Sequence, residues 1–335
     1  MSYKKPKIKS KYFSNFSKTL PSMENKTVLI TGTTSGTGYV AAITMAELGA
    51  KLIMLNRPSP RSIKIQNEIK ENHPNINIHT IDCDLQSFTS VRNAISKINK
   101  ICSEGIDVLC NNAGVMALKD IATEDGYDIQ MQTNHLSHFL LVCELFPLLE
   151  KASKERGESR IVNHSSIARL TVKKLKEKYL GKNGGNLGGN GKSMLFGGAR
   201  WKRYGQTKFA NAAFTAALHE KLQEKNSKIK ALVAHPGLSN TELQVTTLKD
   251  GGMAKILTRF MMKRSQSEED GSIGILSCMC LPEAESGQFW GPGKGMMAMK
   301  GKVKPFNLEK IYNNTETKKL LWEKSCKAIG KEFTI

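Results

Sequence analysis

Tyr204 and Lys208 stand four residues apart in the chain, a spacing that puts both side chains on one face of a helix and in contact. A phenol with a reference pKa of about 10 is a poor acid–base group at neutral pH. An ammonium beside it favours the phenolate and brings it toward the working range. Upstream lie the serine pair Ser165-Ser166 and the glycine-rich turn Thr31-Gly32-Thr33-Thr34-Ser35-Gly36-Thr37-Gly38. Together these types suit proton transfer at a substrate oxygen beside a bound nucleotide. A Y-x-x-x-K pair recurs by chance, so its weight comes from what surrounds it.

Positioning such a set requires a sheet. Short apolar runs at 28–30, 51–55, 76–81, 106–110, 160–164 and 229–234 read as strands. Helical patterns at 40–48, 63–71, 88–101, 127–149 and 206–224 separate them. That alternation predicts βαβ units and a single-domain, Rossmann-type α/β fold with a doubly wound parallel sheet. The turn at 31–38 then joins a strand to a helix. Gly32 serves the tight bend, Gly36 and Gly38 let backbone approach a pyrophosphate, and the helix N-terminus offers free N–H groups to it.

The end of the second strand reads Leu55-Asn56-Arg57. An acid there would hold ribose hydroxyls and repel a 2′-phosphate, whereas Arg57 suits one, so NADP(H) is expected over NAD(H). The same arginine also reads as a surface charge. Asp84-Leu85 fits the adenine edge, and Asp84 reads equally as a helix cap. In Asn111-Asn112-Ala113-Gly114, small residues and Gly114 let backbone come near a nicotinamide ribose.

The order and spacing of TGTTSGTG, Asp84, NNAG, Asn134, Ser166 and YGQTK resemble the short-chain dehydrogenases/reductases over about residues 26 to 241. The wording TNHLSHFLL, RIVNHSSIAR, YGQTKFAN and HPGLSNTEL resembles the branch of retinol dehydrogenases, WW-domain oxidoreductases and protochlorophyllide-reductase-like proteins. The resemblance implies that Tyr204 exchanges a proton with the substrate oxygen and that Lys208 lowers the tyrosine pKa and holds ribose hydroxyls. It gives Ser166 a hydrogen bond to the substrate oxygen and has Asn134 orient Lys208 through water. Pro236-Gly237 and Thr241 match the turn that positions the nicotinamide carboxamide. It also implies a homodimer or tetramer pairing through the helices of the Asn134 and Tyr204/Lys208 motifs. The 167–203 stretch before Tyr204 is longer than in compact members and is reminiscent of protochlorophyllide reductases. Those enzymes carry a cysteine shortly after the lysine, where this chain has Phe209-Ala210-Asn211. A tetrapyrrole reductase and a non-catalytic NADP-binding regulator therefore stay as alternatives.

The remaining sequence bounds the picture. The 335 residues, 39% hydrophobic, suffice for one large core and not for two ordinary domains after the tails. Seven scattered cysteines with no C-x-x-C spacing read as buried thiols in a reducing, cytoplasmic compartment. His135, His138 and His164 lack carboxylates at ligand spacing, so no metal is expected. No apolar run reaches 18 residues. The net charge is +20, and residues 1–24 read as a flexible basic extension able to touch a membrane surface. No nucleic-acid motif accompanies the charge. Residues 25–335 form the enzyme domain, with 167–203 as an insertion or lid and 238–304 as substrate-side segments. These supply Leu195, Phe196, Trp201, Leu243, Phe260, Met261, Phe289, Trp290, Met296 and Met297, which suit a small hydrophobic carbonyl or alcohol substrate such as a retinoid, steroid or fatty aldehyde. The same residues read equally well as core.

Overall fold

Apolar runs of four to six residues, buried on both sides, need a helix layer on each face. The computed structural model, which describes residues 6–193, 197–293 and 299–335, shows that arrangement. Its strands are β1 Thr27–Thr31, β2 Lys51–Asn56, β3 Ile78–Asp82, β4 Val108–Asn111, β5 Ser159–His164, β6 Ile229–Ala234, β7 Gln288–Pro292 and β8 Val303–Asn307. They form one sheet in the order β3-β2-β1-β4-β5-β6-β7-β8, with only the β7–β8 pair antiparallel. The helices are α1 Phe13–Ser17, α2 Gly36–Glu47, α3 Pro60–Asn72, α4 Phe88–Ile101, α5 Ile129–Met131, α6 Ser137–Arg156, α7 Gly198–Glu224, α8 Glu242–Lys249, α9 Lys255–Met262, α10 Glu268–Cys280 and α11 Thr315–Ile329.

Strand alternation sorts the core into two layers. Val28, Ile30, Leu52 and Met54 pack with α2, α3 and α10. Leu29, Ile53 and Leu55 pack with α4, α6, α7 and α11. β1 is hydrogen-bonded to β2 on one side and β4 on the other, so the winding reverses there. A crevice opens at the carboxyl ends of the strands at such a point. The glycine turn leaves β1 into it, and Asn112–Gly114 leaves β4. All seven cysteines are buried free thiols.

Residues 6–24, read from the sequence as a flexible extension, lie against the domain. The Asp270 carboxylate accepts the backbone N–H groups of Lys11, Tyr12 and Phe13 at 2.8, 2.8 and 3.0 Å and the Ser10 hydroxyl at 2.8 Å. Phe13, Phe16 and Leu20 pack onto the α2/α10 layer. Helix α11 packs against α7 and α6, the helices through which the resemblance implies pairing of two copies. Trp322 and Phe333 meet Phe139 edge-on there, and Trp322 meets Phe214.

The 167–203 insertion is likewise fixed by polar groups. Asp120 accepts the backbone N–H groups of Gly185, Leu187 and Gly188. Arg200 and Arg203, at the start of α7, are fully buried. Arg203 pairs with buried Asp128 at 2.6 Å and also donates to the carbonyls of Gly188 and Leu118. Arg200 pairs with Asp250 at 2.6 Å and donates to the Asn190, Gly191 and Ala117 carbonyls. Removing one partner of a buried pair strands the other charge. Arg203→Ala should therefore cost about 3–5 kcal/mol of unfolding free energy in urea titrations. The Arg203→Met/Asp128→Leu double variant should recover much of that loss.

Candidate active site

Tyr204 lies in the second turn of α7 and Lys208 one turn later, both almost wholly buried. The Lys208 Nζ is 5.8 Å from the centre of the tyrosine ring and donates to the His164 carbonyl at 2.8 Å. The Ser166 side chain lies close enough to the Tyr204 hydroxyl to pull its pKa down, and its own Oγ accepts from Ala168 N, capping the turn Ile167–Thr171. Ser165 turns away and donates to the Lys208 carbonyl. Of the serine pair, Ser166 alone is brought to the tyrosine.

Burial depresses the Lys208 ammonium to about 7. Burial also raises the Tyr204 phenol to about 12, against the pull of the Ser166 hydroxyl. Burial dominates both groups with the side chains in this arrangement. The lysine is desolvated, and one of its three donors goes to the His164 carbonyl.

Asn134 sits in a π turn, Gln132–Leu136, inserted between α5 and α6, a distortion often found at functional sites. Its Oδ1 accepts Val115 N at 2.7 Å, and its Nδ2 donates to the Val115 carbonyl and the Thr207 hydroxyl. Asn134 thus ties the loop after β4 to α7 rather than bonding Lys208. The two groups do converge on Gly114: a Cβ there would lie 3.0 Å from Asn134 Oδ1 and 3.5 Å from Lys208 Nζ. A side chain at Gly114 would fill the space between them.

These groups form one end of a cleft of about 840 Å3. The other end is the glycine turn, with Gly32, Thr34, Ser35, Gly36 and Thr37 on its wall and Gly38 behind. Gly36 has φ +63°, and a Cβ on it would press on Thr241 at 3.2 Å. The first N–H groups of α2 are left without a side-chain cap at Ser35. Asn56 is buried and holds the turn, accepting Thr33 N at 2.8 Å. Arg57 is exposed on the rim of the cleft, with Arg61 beside it. Asp84 and Leu85 line the same wall. Ser87, not Asp84, caps α4, and the Asp84 carboxylate accepts Gln86 N instead. Pro236 and Gly237 lie opposite, and Thr241 caps α8 in a reciprocal pair with Gln244.

The apolar end differs from the expectation. Trp201 and Leu243 do line it, and Met261 packs behind. Phe289 and Trp290 do not. β7 pairs with β6, which buries the first in the α7 layer and the second in the α10 layer. Phe260 points to solvent. Leu195, Phe196, Met296 and Met297 lie outside the described residues. Met116, Ala168 and Met253 complete the cluster around Tyr204 and were not foreseen, because nothing local marks them. The buried imidazoles are polar cross-links. His138 joins Thr31 to the Asn134 carbonyl, and His164 Nδ1 reaches Asn112 Oδ1 at 3.0 Å. Among the described residues no three His, Cys, Asp or Glu side chains are grouped to hold a metal.

The family model for short chain dehydrogenases matches residues 26–180. An uncharacterized oxidoreductase of Schizosaccharomyces pombe is 35% identical over 67% of this chain, which spans 63% of that protein. Retinol dehydrogenase 12 of Mus musculus is 28% identical over 97% of the chain and 93% of its own length. A crystal structure of an uncharacterized protein from Mycobacterium paratuberculosis superposes with a TM-score of 0.72, at 27% identity, over 95% of this chain and 98% of that one. The glycine turn, Ser166 with the buried Tyr204 and Lys208, and these likenesses agree, and the chain belongs to the short-chain dehydrogenase/reductase family, in its retinol-dehydrogenase-like branch.

Proposed function

We propose that the protein is an NADP(H)-dependent oxidoreductase acting on the carbonyl or alcohol of an apolar small molecule. One observation carries the reading: a buried tyrosine and a buried lysine share one cleft with an uncapped helix N-terminus and a glycine cradle. The residues fit a dinucleotide. The cradle between Gly36 and Thr241 would be filled by a single Cβ, and free N–H groups at a helix start suit a pyrophosphate. The backbone of Thr34–Gly38 would hold that group, with Asp84-Leu85 at the adenine and Asn112–Gly114 and Lys208 at the nicotinamide ribose. Pro236-Gly237 and Thr241 would hold the carboxamide. With Asn56 committed to the turn, no acid stands at the end of β2, and the exposed Arg57 and Arg61 favour a 2′-phosphate there. The dinucleotide, when bound, supplies or accepts hydride.

The chain's own part is the proton. With its phenol pushed up to about 12, Tyr204 is protonated at neutral pH and ready to give its proton to a carbonyl oxygen. Ser166 and Tyr204 hydroxyls then stabilise the developing alkoxide. Running in reverse, the ionised phenol would take the proton of an alcohol, and the direction is set by the ratios of nucleotide and substrate. Met116, Ala168, Trp201 and Leu243 beside Tyr204 give the substrate an apolar seat. The name of the mouse relative, a retinol dehydrogenase, supports an apolar alcohol or aldehyde.

Tyr204→Phe should lower kcat for aldehyde or ketone reduction by about 10²- to 10⁴-fold while leaving NADPH binding intact. Equal turnover by the variant would return the protein to a non-catalytic cofactor binder. Arg57→Asp should weaken NADPH binding about ten- to hundredfold in fluorescence titrations and leave NADH binding nearly unchanged. Because burial depresses Lys208, its ammonium is present below about pH 7 and lost above. The value of kcat/KM for reduction, which reports free-enzyme groups, should accordingly fall as pH rises through about 7. That inflection should be absent from the residual activity of Lys208→Arg, whose guanidinium does not titrate.

A further inference from the structure

Helix α9, Lys255–Met262, stands at the apolar end of the cleft and has two unlike faces. Inward, Thr258 and Met262 are buried, and Met261 packs against the cluster of Met116, Trp201, Tyr204 and Met253. Outward, Ile256 is 87% exposed and Phe260, one turn on, is 55% exposed. Four exposed cations, Lys255, Arg259, Lys263 and Arg264, surround this apolar pair, and residues 255–264 contain no acid. The Arg264 guanidinium lies over the Phe260 ring at 4.1 Å.

We infer that the outer face of α9 docks on an anionic lipid surface. Large apolar side chains ringed by lysines and arginines are what an interfacial helix presents to charged headgroups. The apolar tips enter the acyl boundary, while long cationic stems lie along it and keep their charges in the headgroup layer. The net charge of +20 draws the whole molecule toward such a surface. The N-terminal segment, where the sequence suggested a membrane contact, is turned the other way, with Phe13, Phe16 and Leu20 packed on the protein. Docking through α9 would bring the Tyr204 end of the cleft to the bilayer, where apolar alcohols and carbonyls reside. That use of the surface rests on the proposed activity; the docking itself does not.

The test is flotation of the full chain with phosphatidylcholine vesicles, with and without phosphatidylserine, over a salt series. The expected result is binding that needs phosphatidylserine and weakens with salt. Arg259→Gln and Lys263→Gln should each cost about fivefold in partitioning, and Ile256→Ser/Phe260→Ser at least about tenfold. A Phe260→Trp variant should shift its emission to the blue on these vesicles and be quenched by brominated acyl chains. Unchanged NADPH binding by the double serine variant would show that its fold is intact. The inference is overturned if wild type fails to float with anionic vesicles, or if the double serine variant floats equally well. It is also overturned if heparin binding depends on the two cations while vesicle binding does not, which would assign the face to acidic macromolecules. Loss of NADPH binding by the wild type would instead count against the nucleotide cleft and leave the vesicle result standing.

Discussion

The carbonyl of His164, at the carboxyl end of β5, accepts hydrogen bonds from Lys208 Nζ and Asn211 Nδ2, at 2.8 and 3.0 Å. The cleft is hung from that oxygen. The ring of His164 reaches Asn112 Oδ1, the same atom takes the Thr37 hydroxyl, and Asn112 Nδ2 donates to the carbonyls of Thr31 and Gly32. One polar ladder therefore runs across the ends of β5, β4 and β1, from the lysine to the glycine turn. Displacement at one end is felt at the other, because a buried network of this kind is costly to leave half-satisfied. Burial, with the Lys208 charge adding to it, holds His164 down to about 3. The imidazole thus stays neutral and serves as a fixed cross-link rather than a titrating group.

What was legible in the sequence was local. The glycine turn, the Tyr204/Lys208 spacing and the apolar runs each declare themselves within a few residues, and a right-handed parallel sheet then leaves little freedom in how they meet. What was illegible depends on distant partners. Asp270 gathers the backbone of residues 11–13 from some 260 positions away. Arg200 and Arg203 look like ordinary helix cations until the carbonyls and carboxylates that surround them are known. For Phe289 and Trp290 pocket and core could not be told apart, because β7 has no signature of its own; its burial comes from pairing with β6. Asn134 was recognisable by its motif, but its partners were not: the π turn that aims it at Val115 and Thr207 leaves no mark in the sequence.

The two halves of the cleft are built differently. The nucleotide half is backbone and short polar side chains, fixed by the ladder and by Asn56, where small displacements would break hydrogen bonds. The substrate half is a small cluster rich in methionine, Met116, Met253 and Met261, closed by short helices. Methionine has three rotatable bonds and a polarisable sulfur, so such a wall adapts to different apolar shapes. In the proposed reading, one dinucleotide is held strictly while a range of apolar substrates is admitted.

The insertion at 167–203 bears on how a substrate would arrive. A long glycine-rich segment beside a site reads first as a moving lid. Here its backbone is spent. The N–H groups of Gly185, Leu187 and Gly188 sit on Asp120, and the carbonyls of Gly188, Asn190 and Gly191 accept from the two buried arginines that begin α7, the helix carrying Tyr204. Swinging that segment open would expose Arg203 and Asp128, a pair with side chains 0% and 1% accessible, and would disturb the helix that holds Tyr204. The α8–α9 side is tied as well: Arg200 and Lys119 N hold the part-exposed Asp250, Trp201 Nε1 donates to the Gly252 carbonyl, and the Thr247 hydroxyl donates to the Met116 carbonyl. Opening on that side would break a part-exposed ion pair but leave the Arg203–Asp128 pair and the polar ladder in place, so in the proposed reading it is the cheaper path for an apolar molecule to reach Tyr204.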